Sequence, residues 1–449
     1  MWLASAMDNL RLIQARSGWN RQQVLAYQEQ SFRDLLRYVW DNSPFYRDYY
    51  TDHSIKEADL SELAVGDLPM VTKEALMEGF DRISRDPALR RDKLESWLHS
   101  DAPNPYQDRY VVVNTSGSSG SLGIFVYDEA AWTRIGAVIA VRTAAPQRLN
   151  PRDRYRIALY AATNGHFAAV TAIGMLPPLL FDTRLCSVLA PLHAILDTLN
   201  RFKPECLHGY PSVLSELAQA TLDGKLEISP DSVFAAGEIL TDEAIATIVK
   251  AWGAEPYDMY ASTETSCLAM KLPGSSDMTL MEDEHVFEIL DPQEVPVEPG
   301  QTGRMVMTAL YNRAIPLIRY DMGDFVTRGH LADNEPFDCI LRVKGRVNDA
   351  LPVTLKDGSA DTLHPIVLSE FFVPGGRKFQ FVSETPSHAR VRYLATENLD
   401  LEVRDAFQHL LVMKGADGST AITVERAQEL PVDKKTGKYR LVVLPEALL

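Results

Sequence analysis

Residues 189–264 run LAPLHAILDTLNRFKPECLHGYPSVLSELAQATLDGKLEISPDSVFAAGEILTDEAIATIVKAWGAEPYDMYASTE. Leu189, Leu192, Ile195, Leu196 and Leu199 repeat at helical spacing, and Cys206-Leu-His208 then reads as a strand. A helix from Pro211 to Thr221, a strand over Ser232–Ala236, a helix from Asp242 to Trp252 and a strand over Pro256–Tyr260 follow. Short apolar runs alternating with helices of this length predict βαβ crossovers and a largely parallel sheet. Ligands bind such sheets at the carboxyl ends of their strands. Gly237-Glu238 and Ala261-Ser-Thr-Glu264 lie at two of those ends.

Upstream, residues 20–50 read as helical, with Phe32, Leu35, Leu36 and Val39 on one face and a stop at Asn42-Ser43-Pro44. A polar stretch extends to about residue 109. Tyr110-Val-Val-Val113 and Ile124-Phe-Val-Tyr127 then read as strands, and Asp128 as the N-cap of a helix reaching Ala145. Beyond residue 290 the pattern turns to β, with Arg304–Tyr311 alternating well after a turn-rich stretch. A domain boundary is expected near Gly345-Arg346. Past it come short strands (Phe379–Val382, Ala389–Tyr393, Ala421–Val424) and a helix over Leu401–Met413. The expected fold class is α/β: a large N-terminal domain (1–345, with a helical start over about 1–105) of mostly parallel sheets and a β subdomain, plus a small mobile α+β lid (346–449).

The chain has 449 residues, 46% hydrophobic and 24% charged, which suits a globular protein and not a disordered one. Its net charge of −16 speaks against nonspecific binding to nucleic acid or anionic lipid. Four widely spaced cysteines form no CxxC pair, so neither a disulfide framework nor a zinc ribbon is expected. The start has no basic n-region, and the apolar run Ile157–Leu180 is broken by Asn164, Gly165, Pro177 and Pro178. Neither a signal peptide nor a membrane span is expected. A cytoplasmic enzyme fits.

Thr115-Ser-Gly-Ser-Ser-Gly120 is the sharpest local signal. Small residues admit an anion close to the backbone, whose N–H groups and neighbouring hydroxyls can donate to phosphate oxygens. No GK[ST] follows, so it is not a Walker loop, and a Gly/Ser turn between strands has the same composition. Glu264 offers carboxylate oxygens to Mg2+, and Tyr260 a ring for a base; a solvated polar loop is the bland alternative. Asp324, after the turn Tyr320-Asp-Met-Gly323, suits ribose hydroxyls or an ordinary acidic turn. Lys438 in Lys434-Lys-Thr-Gly-Lys438 could reach a phosphoryl oxygen, or belong to a solvated charge run. His193-Ala-Ile-Leu-Asp197 matches an HxxxD acyltransferase pattern, but the pair falls on the polar face of its helix. His166, His208 and Tyr210 lie near strand ends and are nominated for a substrate pocket, with satisfied core histidines as the alternative.

In order along the chain, these segments resemble the adenylate-forming superfamily (acyl-CoA synthetases, NRPS adenylation domains, luciferases), specifically its phenylacetate–CoA ligase-like branch. Asn42-Ser-Pro-Phe-Tyr46 resembles that branch's N-terminal helix end, Thr115–Gly120 its phosphate loop, and Ala236-Gly237-Glu238 its adenine-side segment. Tyr260-Ala261-Ser262-Thr263-Glu264 resembles the nucleotide and Mg2+ motif, and Tyr320–Asp324 the ribose motif. Gly345-Arg-Val-Asn-Asp349 resembles the hinge, and Thr436-Gly-Lys438 the segment with the catalytic lysine. The resemblance covers nearly the whole chain from about residue 25.

It implies ATP and Mg2+ as cofactors, with CoA a candidate acceptor, and activation of a small, perhaps aromatic, acid as its AMP anhydride with release of pyrophosphate. Thr115, Ser116, Ser118 and Ser119, with Gly117 and Gly120 in the same loop, would hold the β- and γ-phosphates. Thr263 would hold the α-phosphate, Glu264 the Mg2+, Asp324 and Arg346 the ribose. Lys438 would neutralise charge as the adenylate forms, and the lid would rotate about Asn348 or Asp349. A homodimer would fit the family. Three departures stand out: Ser121-Leu122 replace the Lys-Pro that often follows the loop, Ala261 stands where glycine is usual, and Leu351–Pro365 lacks the compact turn common in CoA-using relatives. A nitrite-activating diazotase acting on an arylamine is therefore the runner-up, with the HxxxD acyltransferase and a nucleotide binder without catalysis behind it.

Overall fold

The computed structural model describes residues 2–100, 102–115, 122–143, 152–163, 165–331, 335–344, 351–363, 367–368, 371–385, 388–416, 420–431 and 441–443. The chain opens with helices α1 (Leu3–Arg16), α2 (Arg21–Asn42), α3 (Pro44–Asp52), α4 (Lys73–Glu78) and α5 (Arg91–Leu98). Ser43 ends α2 and caps α3, its hydroxyl accepting from the Tyr46 amide, and Pro44 fills the first helical position, where no amide hydrogen is needed. The expected stop at residues 42–44 is thus also a restart. Helices α1, α4 and α5 fall within the helical start expected over about 1–105, although the sequence reading gave them no individual bounds.

A hairpin of β1 (Tyr110–Asn114) and β2 (Ile124–Asp128) follows, antiparallel with Asn114 opposite Ile124. Asp128 caps α6 (Glu129–Arg142) as expected, accepting from the Ala131 amide at 2.8 Å. The apolar run beginning at Ile157 resolves into β3 (Tyr155–Ala161) and α7 (Ala168–Gly174), with β4 (Phe181–Ser187) beyond. Then come α8 (Leu192–Phe202), β5 (Cys206–Gly209), α9 (Pro211–Leu222), β6 (Ser232–Ala236), α10 (Asp242–Trp252) and β7 (Tyr257–Ser262), close to the expected rhythm. Helix α8 starts later than the leucine pattern suggests, because Leu189 precedes Pro191, which sets the helix entry.

Strands β8 (Ser266–Lys271), β9 (Met278–Leu280), β10 (His285–Leu290), β11 (Thr302–Ala309), β12 (Tyr320–Arg328) and β13 (Cys339–Lys344) complete one 11-stranded sheet. Its order is β10-β11-β12-β13-β9-β8-β7-β6-β5-β3-β4. Pairings from β4 to β7 are parallel, and those from β7 to β10 antiparallel. The parallel half and the β-rich half are therefore one surface.

The C-terminal part contains the hairpin β14 (Leu351–Thr354)–β15 (Ala360–Leu363), strands β16 (Gly376–Thr385) and β17 (His388–Ala395), helix α11 (Asp400–Lys414), β18 (Ala421–Arg426) and β19 (Val442–Val443). Four of these strands form the sheet β18-β17-β16-β19. The proposed boundary, Gly345-Arg346, and the hinge residues Asn348 and Asp349 lie outside the described residues. Leu351, Phe381, Phe407 and Leu411 join the core built by Leu199, Leu214 and Ile248 of the parallel half. At that junction the Lys414 ammonium pairs with Asp361 at 3.0 Å and donates to the Val188 carbonyl. Among the described residues no helix is long and apolar enough to cross a membrane.

Candidate active site

Thr115 directly follows β1. Its amide donates to the Gly123 carbonyl at 2.8 Å, while its hydroxyl accepts from the Gly123 amide at 3.1 Å, so the two ends of the Gly/Ser loop are pinned together. A Cβ on Gly123 would sit 2.6 Å from the Thr115 hydroxyl and 2.8 Å from Lys73 Cε, so a side chain there would have to displace them. Ser116, Gly117, Ser118, Ser119 and Gly120 lie outside the described residues, as do Arg346 and Lys438.

Tyr260, Ala261 and Ser262 end β7, the last parallel strand, and Thr263-Glu264 form the turn into β8. The Thr263 carbonyl accepts from the Tyr127 hydroxyl at 2.8 Å, which ties this turn to β2. Tyr260 donates to Asp324 Oδ2 at 2.8 Å, which ties β7 to β12. The turn expected at Tyr320–Gly323 is instead a bulge within β12, where Gly323, at φ 69°, adopts a left-handed conformation that favours glycine and donates its amide to Asp321 Oδ1.

Glu264 is partly buried, and burial lifts its carboxyl above the usual carboxylate range. Lys73 and the Ser262 hydroxyl pull it back down, while the like charge of Asp324 pushes it up. The like charge of Asp324 makes Glu264 receptive to a nearby cation. Among the described residues no cluster of three or more His, Cys, Asp or Glu forms an all-protein metal site. Mg2+ held by one carboxylate and substrate phosphates needs no such cluster, so the donor set fits.

The remaining nominated residues are more dispersed. Ala236 ends β6 and Gly237 follows it, while Glu238 turns back so that its carboxylate accepts from the Ser212 amide at 3.0 Å, capping α9. His208 stacks flat on Phe234, with ring centroids 4.5 Å apart, and Phe234 stacks likewise on Tyr257. Burial pushes His208 down to about 4, so it stays neutral at ordinary pH. The Tyr210 hydroxyl accepts from the Ala162 amide just past β3. His166 lies against Trp97, 4.3 Å between centroids, and its carbonyl accepts from the Asn114 amide beside the loop. Burial lowers its basicity too. The pair His193 and Asp197 is exposed on the outer face of α8, as its spacing predicts.

Lys73 is absent from the sequence-based list. It opens α4, and its ammonium donates to the Thr115 hydroxyl at 2.9 Å. The Thr72 hydroxyl, which accepts from the Ala75 amide, was readable as a helix cap, but nothing in the sequence placed that helix beside residue 115.

A model of the AMP-binding enzyme family matches residues 50–309, more than half of the chain. The chain belongs to the AMP-binding enzyme family. It is an ATP-dependent, AMP-forming enzyme of the ligase type. Over 346 residues it is 24% identical to phenylacetate-coenzyme A ligase of Pseudomonas putida, covering 72% of this chain and 71% of that one. It is 22% identical over the same length to protein CapK of Staphylococcus aureus, covering 72% and 68%. Among solved structures, 2-hydroxyisobutyryl-CoA ligase with 2-HIB-AMP and CoA shares the fold, with a TM-score of 0.59 at 19% identity over 94% of this chain and 90% of that one.

Proposed function

We propose that this AMP-binding enzyme activates a small organic acid as its acyl-adenylate and passes the acyl group to the thiol of coenzyme A. The observation that carries the reading is the convergence of four segments far apart in sequence. Thr115 meets Lys73 at 2.9 Å, Tyr260 meets Asp324 at 2.8 Å, and Glu264 lies in the electrostatic field of both Lys73 and Asp324.

In this reading an oxygen of the acid attacks the α-phosphorus, and pyrophosphate leaves with the electrons of the bond that breaks. The thiol sulfur then attacks the acyl carbon, loses its proton and expels AMP, so that acid, ATP and CoA give acyl-CoA, AMP and pyrophosphate. Thr115 and the residues following it hold the β- and γ-phosphates, Thr263 the α-phosphate, and Asp324, oriented by Tyr260, the ribose. Glu264 would hold Mg2+, which neutralises phosphate charge when bound. The protein's contribution is alignment and charge placement rather than covalent work. Lys438 and the hinge at Asn348 and Asp349 belong to the lid expected to complete the site.

Carboxylic acids are favoured over nitrite because the relatives with named reactions ligate carboxylic acids: phenylacetate, and fumarate in a fumarate–(S)-2,3-diaminopropanoate ligase. The test is to incubate the full chain with ATP, Mg2+ and a panel of small aliphatic and aryl acids, with and without CoA, beside a tube holding nitrite and arylamines. AMP, pyrophosphate and a CoA thioester are expected. ADP and phosphate would overturn adenylation, and AMP formed only with nitrite and an amine would replace the substrate class.

A further inference from the structure

The Gly/Ser loop of this chain is followed by Ser121-Leu122, so its sequence supplies no cation of its own for the phosphates. We propose that Lys73, 42 residues upstream at the start of α4, is that cation, binding the β- and γ-phosphates of ATP and the pyrophosphate that leaves. The inference rests on the adenylation reading and assigns it a ligand outside the recognised motifs.

Position is the first argument. The Lys73 ammonium donates to the hydroxyl of Thr115, the residue from which the loop departs, at 2.9 Å. Its Cε occupies the space that a side chain at Gly123, the other end of the loop, would need. The lysine therefore adjoins both residues that flank the loop, Thr115 and Gly123, and its charge acts on Glu264.

Rigidity is the second. Val71 exchanges hydrogen bonds with the start of β12: its amide donates to the Arg319 carbonyl at 2.9 Å and its carbonyl accepts from the Asp321 amide at 3.0 Å. Thr72 caps α4, and Leu76 and Met77 are buried beneath it. The segment that leads into Lys73 is thus hydrogen-bonded to the strand that carries Asp324, so the phosphate end and the ribose end of a nucleotide would be read from two joined segments. An ammonium is a compact charge with three hydrogens, and a rigidly held one suits phosphate oxygens that gain charge as pyrophosphate departs.

The test separates phosphate binding by Lys73 from positioning of Thr115 and from folding. Binding of Mg-ATP, Mg-pyrophosphate and AMP to the full chain is measured by calorimetry for wild type, Lys73→Met, Lys73→Gln and Lys73→Arg. Loss of one charge-assisted hydrogen bond is expected to weaken ATP and pyrophosphate about 10- to 100-fold in the Met variant. AMP binding should be unchanged and Lys73→Arg should recover most of the loss. Lys73→Gln, which still offers Thr115 a donor, should behave as the Met variant does and serves if that variant fails to fold. Equal weakening of AMP and ATP, or unchanged pyrophosphate binding, would overturn the assignment. Wild-type protein that binds pyrophosphate through Lys73 but makes no AMP from any acid would instead sink the adenylation reading and leave the anion site standing.

Discussion

The Tyr260 hydroxyl donates to Asp324 Oδ2 at 2.8 Å across 64 residues of sequence. The bond joins the last parallel strand to an antiparallel one and fixes which carboxylate oxygen faces away from the tyrosine. Tyr260→Phe should therefore raise the KM for ATP by on the order of tenfold and leave kcat nearly unchanged, since a hydrogen bond to a charged group is worth about 1.5–3 kcal/mol. An ATP titration at saturating acid checks this, and an unchanged KM would separate Asp324 from the nucleotide.

Glu264→Gln should lower kcat for adenylate formation by on the order of 10²–10³, the loss typical of removing one group that stabilises charge in the transition state. Burial raises the Glu264 pKa, so its ionised form is lost on acidification earlier than that of a solvated glutamate. Activity should rise with pH through that raised value, and the rise should vanish in the Gln variant. A pH–rate profile at saturating Mg2+ shows whether it does.

His208 is held neutral by burial, at about 4 against 6.5 for a free imidazole. Below pH 6.5 the unfolded chain takes up a proton that the folded chain refuses, so stability falls as pH drops from 6.5 towards 4. The limiting slope is about 1.4 kcal/mol per pH unit. His208→Asn should flatten the decline of the thermal midpoint across this window. The buried His285, also at about 4, should continue to contribute its own share.

Arg16, at the end of α1, reaches Glu284 at 2.8 Å, and both side chains are almost fully buried. Arg134 joins the same carboxylate at 2.5 Å, and Arg142 pairs with Asp283 at 2.8 Å. Arg16→Met removes one partner of a buried charge and should cost about 3–5 kcal/mol. A lower thermal midpoint with α1 newly open to proteolysis is the expected outcome; a midpoint equal to wild type would show that Arg134 alone satisfies Glu284.

His193→Ala should leave turnover within about twofold of wild type, because surface substitutions away from such features change little. The residue is exposed on α8 with Asp197 beside it. Abolished activity in a folded variant would restore the acyltransferase reading.

Local sequence determined the alternation of strands and helices over residues 206–262, because side-chain periodicity and caps act within a few residues. Ser232–Ala236 and Asp242–Trp252 form at the expected bounds, and Asp128 caps its helix. It also placed Tyr260–Glu264 at a strand end, since Ala261 and Ser262 still belong to β7. The tertiary structure alone decided what those ends face. That the β-rich segment continues the parallel sheet depends on β7 pairing with β8, which only the assembled strands settle. Glu282-Asp283-Glu284 places three carboxylates side by side, and all three are buried, because arginines from α1, α2 and α6 converge on them. Lys73 looked like one charge among many in a polar stretch. Its place beside Thr115 follows from the hydrogen bonds of Val71 with the start of β12 and the contact of Met77 with Ile124 of the first hairpin, contacts between segments whose distance along the chain carries no periodic signal.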